Sequence, residues 1–452
     1  MDAVVWIILA VTGLLTLIIS LLLAFPSLWR YEIRAGIIGL AGAGLGVALV
    51  AAALLPWTAK PYMAGLLVIL GIGFLLLFHL PLGSVERGNE RPSTQFDERA
   101  IMFSRIRLIP GTPHYEQYYS EHPEHKEIDD VIRALPGLLS PDTPMADVLS
   151  FAAANAAFFH AESIRDAVDG PVAPTPVTIN PGTSANYVKN LGRYFGAHKT
   201  GITEVKNYHI YSHNGRGSGE YGAPILLNHP YVIVFTFEMA EEMVRTAPKA
   251  PEVMETARQY SEAAKSAVQI AAWIRELGYE ARAHIDGNYR LILPLVGRDS
   301  GLGEIGRMGI LMTPDLGPRV RLSAVSTTMP LACDSRGDNK AVLDFCRNCK
   351  KCAENCPGQA IPLEERQEID GALRWKINAE KCFHYWNVVG TDCGRCMMVC
   401  PYSHANDPAH NLMRWLVGRS GAVRRLAFHL DNWVYGRKPK TRPGPEWTQY
   451  LL

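Results

Sequence analysis

The chain has 452 residues, with 45 Lys and Arg against 44 Asp and Glu, and a formal net charge of +1. That balance excludes the strong single-sign field of a general nucleic-acid or polyanion binder, and the length leaves room for a membrane anchor plus one large domain or two smaller ones. Hydrophobic residues crowd the N-terminus, whereas eight of the nine cysteines fall between 346 and 400.

Three apolar runs open the chain, 3–25, 36–56 and 62–80, none containing Lys, Arg, Asp or Glu. Each is close to the roughly 20 residues that cross a bilayer. The first is too long for the core of a signal peptide and lacks a basic leader. The second carries Gly36, Gly39, Gly42, Gly44 and Gly46, a composition that suits close helix packing in lipid. Arg30 and Arg34 lie in the first loop, Lys60 alone in the second, and Arg87, Arg91, Arg99, Arg105 and Arg107 follow the third run. The bias of basic residues toward the inside therefore predicts an external N-terminus and a large domain facing the cytoplasm. His79 is the only histidine in these runs, so the pair of axial ligands that a membrane haem requires is missing.

Residues 83–96 are polar and read as a linker. Apolar spacing predicts helices over 143–166, with Ser140 or Asp142 as cap, and over 183–197. Between them Pro171, Pro174, Pro176 and Pro181 enforce a loop. Residues 231–237 (YVIVFTF) have the pattern of a buried strand. A helix is predicted over 252–277 and closed by Gly278, with further strands over 289–295 and 319–326. This order favours an α+β domain.

The cysteines form two runs, Cys346-x2-Cys349-x2-Cys352-x3-Cys356-Pro357 and Cys382-x10-Cys393-x2-Cys396-x3-Cys400-Pro401. This is the spacing of bacterial [4Fe–4S] ligation, in which the fourth cysteine of each run reaches the other cluster. The expected sets are Cys346, Cys349, Cys352 and Cys400 for one cluster, and Cys382, Cys393, Cys396 and Cys356 for the other. Zinc sites rarely interlock in this way, and disulfides suit small secreted domains. Cys333 stands outside both runs and is expected to be a packed small hydrophobe.

Two clusters imply electron transfer to a further group. Residues 300–321 (SGLGEIGRMGILMTPDLGPRVR) are rich in glycines that let backbone approach a large flat ligand. They lack the strand–turn–helix context of a dinucleotide fold. Together with DERAIMFSRIRLIPGTPHYEQYY at 97–119, YSHNGRGSGEYG at 211–222, HPYVIVFTFEM at 229–239 and the two cysteine runs, this ordered set resembles the reductive dehalogenases, corrinoid and iron–sulfur enzymes of organohalide reduction.

The resemblance implies a nitroreductase-like corrinoid-binding core over 97–340, a ferredoxin-like module with two [4Fe–4S] clusters over 341–405 and a tail over 406–452 packing on the core, behind a three-helix anchor over 1–82. It implies a base-off cobalamin without a protein histidine ligand, in agreement with the absence of an Asp-x-His-x-x-Gly motif among the fourteen histidines. Corrinoid contacts are expected from Gly301, Gly303, Glu304, Thr313, Pro314 and Gly317. The proton donor implied is Tyr260, with Tyr221 and Tyr289 as competitors. Its cationic partner is expected to be Arg307, and a third polar residue comes from His284, Asp286 or Asn288, with Asp286 favoured. The implied activity is carbon–halogen cleavage by electrons passed through the clusters to cobalt. The partners are an organohalide, a low-potential donor (ferredoxin, flavodoxin or quinol-linked) and the cell membrane, with no nucleic acid. The alternatives are an epoxyqueuosine-reductase-like enzyme, which has a helical-repeat C-terminus not visible here, and a membrane electron-transfer subunit without corrinoid.

Overall fold

The computed structural model describes residues 2–80, 85, 87–337 and 339–449; residues 83, 84 and 86 of the predicted linker lie outside the described residues. The chain divides into two compact units, one of residues up to Val85 with His404–Pro439, the other of Glu86–Ser403 with the chain from Lys440.

In the first unit, helices Asp2–Trp29, Ile33–Leu54 and Lys60–His79 coincide with the three apolar runs and are long and apolar enough to cross a membrane. The glycines of the second helix explain how tightly it meets the first. A Cβ at Gly39 would lie 2.8 Å from Ala24, and one at Gly46 2.6 Å from the backbone of Leu17. Helices Pro408–Arg419 and Gly421–Tyr435 complete the unit, capped by the side chains of Asp407 and Ser420. Arg30 pairs with Asp407 at 2.7 Å, and His410 Nε2 meets the Tyr435 hydroxyl at 2.8 Å. The tail was expected to pack on the core; instead, His404–Pro439 belongs with the N-terminal helices, and only the chain from Lys440 joins the larger unit.

The larger unit is α+β, as expected. Its central sheet contains β1 (Lys199–Glu204), β2 (Tyr231–Glu238), β3 (Ala281–His284) and β6 (Val320–Thr327), all antiparallel in the order β1-β2-β6-β3. Two short hairpins, β4 (Glu304–Ile305) with β5 (Leu311–Met312) and β7 (Gln367–Ile369) with β8 (Ala372–Arg374), lie outside it. The apolar run of β2 is continuous because both faces are covered. Ile233, Phe235 and Phe237 pack on an alanine-rich face (Ala263, Ala264, Ala267, Ala271) of the long helix Ala250–Glu276, while Val232 and Val234 meet Leu293, Val296 and Leu311. Gly278, at φ +82°, ends the long helix where a side chain would strike Pro176.

Several boundaries differ from expectation. The helix expected over 143–166 is Val148–Ser163 and is capped by Asp147, not Ser140 or Asp142; the next runs Pro181–Tyr194 behind an Asn180 cap. The strand expected over 289–295 is a turn leading into helix Leu293–Asp299. Pro294 fits the first turn of a helix, where its missing N–H costs nothing, and the apolar alternation around it serves helix packing on β2.

At the end of that helix Asp299 accepts hydrogen bonds from Tyr208 Oη (2.6 Å), His209 Nε2 (3.0 Å) and Arg298 Nε (2.8 Å). These donors hold its carboxyl well below the usual carboxylate range despite burial. Burial keeps His209 neutral, its Nδ1 accepting from the Lys206 N–H at 3.1 Å. A carboxylate with a depressed folded pKa stabilises the fold fully above its unfolded value near ~3.9 and loses that contribution as pH falls. Asp299→Asn is therefore expected to lower the melting temperature at neutral pH, and the gap to wild type should close below about pH 4, as measured by thermal unfolding across a pH series.

Candidate functional site: the cysteine module and the buried tyrosine

Cys346 and Cys349 lie on helix Lys340–Cys349, Cys352 on Lys351–Glu354, Cys382 on Ala379–Val389 and Cys396 on Arg395–Met398, with Cys356, Cys393 and Cys400 in the turns between. Two left-handed residues, Lys350 at φ +56° and Cys393 at φ +64°, turn the chain sharply enough to bring successive thiols together. Cys352 has Cys346, Cys400, Cys396 and Cys349 as electrostatic neighbours. Cys382, Cys356, Cys393 and Cys396 are neighbours of one another. Burial pushes the Cys346, Cys352, Cys382, Cys393 and Cys396 thiols up, Cys382 to about 12 and Cys352 well above its ordinary value. Sulfurs gathered in two such turns fit a bound metal group that would stabilise their thiolates. Cys333 is exposed rather than packed, and it stands apart from both sets.

Guanidinium groups of the core hold these turns. Arg307, expected beside Tyr260, is fully buried and donates to four backbone carbonyls: Cys346 (3.1 Å), Arg347 (3.3 Å), Pro362 (2.9 Å) and Glu364 (2.6 Å). It also lies over the Trp375 ring at 4.7 Å. Arg307 is a peg for the first cysteine run, and its donors are spent on backbone. On the second run, Arg105 joins Asp129 to Glu380 at 2.7 and 2.8 Å. Arg319 donates to the Ser403 carbonyl at 2.8 Å.

The cation beside Tyr260 is Arg321, whose Cζ lies 5.2 Å from the ring centroid. Strand alternation accounts for this. Arg321 pairs with Phe237 across the sheet and so shares the face that the long helix covers. On that helix Glu252, Thr256 and Tyr260 recur every four residues and form one stripe. Arg321 Nη2 donates to Thr256 Oγ1 at 2.6 Å and to Asp392 Oδ2 at 3.0 Å. Burial and the Asp392 carboxylate push Glu252 well above the carboxylate range. Gly394, beside Cys393, is required here: a Cβ there would lie 2.3 Å from Glu252 Cδ. Burial raises the Tyr260 pKa; Arg321 and Arg216 oppose the rise, and Asp286 and Asp392 add to it. Tyr289 is raised still further by burial, with Tyr260, Asp286 and Tyr211 as neighbours, so it shares the site. Tyr221 does not: it tilts over His114 at 4.8 Å and packs on Tyr115, Tyr118 and Tyr119.

Of the three alternatives in the loop after β3, His284 is committed at both nitrogens, to Ser326 Oγ (2.9 Å) and the Arg290 N–H (3.2 Å). Asn288 binds Ser218, Arg282 and the Arg165 carbonyl. Asp286 is half-buried against Arg165 (3.4 Å) and bears electrostatically on both Tyr260 and Tyr289. Arg216, held by Glu98 at 3.3 Å, was missed from the sequence. The only local signal is its position between Gly215 and Gly217 in the 211–222 motif.

The expected corrinoid contacts are largely occupied by protein. A Cβ at Gly303 would lie 2.1 Å from the Met312 carbonyl oxygen, one at Gly301 2.6 Å from the Ser335 carbonyl oxygen and one at Gly317 2.5 Å from Tyr402 Cβ. The Glu304 carboxylate is bound by Arg87 (3.0 Å) and Arg336 (2.8 Å). Thr313 Oγ1 donates to the Gly317 carbonyl at 3.2 Å, and only Pro314 of the six is exposed. These glycines admit the close approach of other parts of the chain. Among the buried side-chain atoms without a hydrogen-bond partner are Arg321 Nε and Ser323 Oγ on β6, together with Glu252 Oε2 and Asp392 Oδ1.

Fold and site define a class: an α+β core, with a half-buried tyrosine against a guanidinium, tied to an eight-cysteine module. Residues 345–404 match the 4Fe-4S dicluster domain. In sequence the chain resembles reductive dehalogenases. It is 31% identical over 298 residues to the tetrachloroethene reductive dehalogenase of Sulfurospirillum multivorans, covering 58% of this chain and 59% of that one. It is 35% identical over 213 residues to the enzyme of the same name from Desulfitobacterium hafniense, covering 45% and 38%. The chain thus spans well under two thirds of these relatives. The fold is that of the catabolic reductive dehalogenase NpRdhA, with a TM-score of 0.66 and 23% identity over 80% of this chain and 50% of the other.

Replacing Arg307 by Met removes the donor from four backbone carbonyls, and for the buried one, that of Cys346, the loss costs about 1–3 kcal/mol. The variant is expected to lose iron and unfold at lower temperature. Arg307→Lys should not rescue it, because an ammonium lacks the planar fork that spans these carbonyls; iron analysis and thermal unfolding of both variants check this.

Proposed function

We propose that this chain is a membrane-anchored, corrinoid-dependent reductive dehalogenase-like oxidoreductase. The observation that carries the reading is the Tyr260–Arg321 pair, 5.2 Å apart, built onto the same strand and helix that bind Asp392 beside the second cysteine run. A bare electron-transfer subunit needs no such pair. Cys346, Cys349, Cys352 and Cys400 would hold one [4Fe–4S] cluster and Cys382, Cys393, Cys396 and Cys356 the other, the sets that the cysteine spacing implies. A base-off cobalamin between core and clusters would supply the low-potential chemistry at the carbon–halogen bond. Arg321 Nε is a donor free to meet it.

The chain's own residues then do three things. Tyr260, kept protonated at neutral pH by burial, gives its hydroxyl proton to the carbon that loses halide. Arg321 stabilises the tyrosinate that remains. Thr256 and Asp392 hold Arg321 in place, while Tyr289, Asp286 and Arg216 complete the walls and set the local charge. The three apolar helices would anchor the enzyme in the cell membrane with the catalytic unit on the cytoplasmic side, and the donor would be a low-potential ferredoxin, flavodoxin or quinol-linked protein. The substrate class is an organohalide.

Anoxically purified protein, expressed with ample cobalamin, is expected to hold about eight iron, as two [4Fe–4S] clusters require, and cobalt near one per chain. Iron without cobalt would return the chain to the electron-transfer reading. Tyr260→Phe should keep both metals yet lose about 10²–10⁴-fold in halide release under a strong reductant; undiminished turnover would remove Tyr260 as donor. Activity needs the protonated phenol, so it falls as pH rises through the Tyr260 pKa. Arg321 lowers that pKa, and Arg321→Gln should therefore move the alkaline limb of the rate profile to higher pH.

A further inference from the structure

The helices Pro408–Arg419 and Gly421–Tyr435 turn one face inward and leave the other uncovered. Val423, Ala427 and Val434 of the second helix are buried, and that helix packs on Ile33–Leu54 and Lys60–His79 within the same unit. Its outer face carries Leu426, Leu430 and Trp433, spaced by four and three residues so that they form one stripe. Leu412 and Trp415, three residues apart, form an apolar pair on one face of the first helix. All five are exposed, from 38% at Leu430 to 58% at Trp433. The stripe has a basic margin: Arg425 lies beside Leu426, Arg419 stacks over Trp415 at 4.2 Å, and Lys438 follows the end of the second helix.

Three features name the occupant. At 12 and 15 residues the helices are too short to cross a bilayer, which takes about 20. Exposed tryptophans beside exposed leucines, with a cationic margin, make up an amphipathic surface that lies in the headgroup region. The pair is also fixed to the end of the apolar bundle where basic residues cluster: Arg30 binds Asp407, and Arg34 Nη1 would lie 3.7 Å from a Cβ at Gly436. That is the end where the lipid headgroups begin if the three helices span.

We propose that helices 408–419 and 421–435 lie in the membrane interface, with Leu412, Trp415, Leu426, Leu430 and Trp433 at the acyl boundary and Arg419, Arg425 and Lys438 at the phosphates of anionic lipids. This rests on the reading that the three N-terminal helices span the membrane. The test uses the full chain, loaded with its metals, in vesicles of phosphatidylcholine and phosphatidylglycerol containing a phosphatidylcholine with a diazirine on its acyl chain. After irradiation, labelled peptides are mapped by mass spectrometry.

Label is expected both within residues 2–80 and within 412–433. Leu426→Ser/Leu430→Ser/Trp433→Ser should cut the second label several-fold, leaving the first label and the iron content unchanged. Omitting phosphatidylglycerol should also weaken the second label; no change would overturn the role given to the basic margin. Label confined to residues 2–80 would overturn the interfacial placement and assign the stripe to a protein partner. Label in neither region would overturn the spanning reading and this proposal with it.

Discussion

The larger unit depends on buried arginines. The cysteine module has almost no regular backbone pairing with the central sheet, and its short helices end in carbonyls that would be orphaned inside the protein. Core guanidiniums supply what the sheet does not. Arg307 takes four carbonyls around the first run, while Arg105, Arg319 and Arg321 reach Glu380, the Ser403 carbonyl and Asp392 around the second. Arginine suits this work because it stays charged when buried and its donors fan out in a fixed plane. Arg307 also bears on Cys346 and opposes the rise that burial imposes on its thiol.

One of these pegs serves a second purpose. Arg321 is held by Thr256 and Asp392 and lies over the Tyr260 ring, so a single side chain links the second cysteine run to the tyrosine. Glu252, Thr256 and Tyr260 succeed one another at one helical turn, and Arg321 answers them from the facing strand. The arrangement follows from two periodicities meeting, 3.6 on the helix and 2 on the strand.

What could be read from the sequence was what is local. The cysteine spacing states its own chemistry, because the ligand turns are short. The three apolar helices and the run 231–237 announce themselves by composition. Arg307 and Arg321 could not be told apart in that way. Arg307 stands in a glycine-rich segment that looks like a ligand loop, yet the partners of that loop are the carbonyls of residues 346–364, which no local pattern reveals. Arg321 looks like an ordinary strand residue until its pairing with Phe237 fixes the face on which it lies. The strand expected over 289–295 failed for a related reason: alternating apolar residues also fit a short helix when a proline stands at its first turn. The strand Lys199–Glu204 went unseen because its ends are charged and Gly201 interrupts it.

The two compact units are interleaved along the chain: the one that begins at the N-terminus is completed by His404–Pro439, and the other closes only with the stretch from Lys440. On the ribosome, therefore, the three apolar helices emerge well before the segment that completes their unit. Arg30 has no Asp407 to bind until more than 370 residues of separation have been translated. By then all eight clustered cysteines are already out of the exit tunnel or within it. Neither unit can reach its final form as an independent early product, and a chain cut short anywhere before the last helix leaves both incomplete. Maturation of the iron–sulfur turns and closure of the N-terminal bundle thus fall in the same late interval of synthesis.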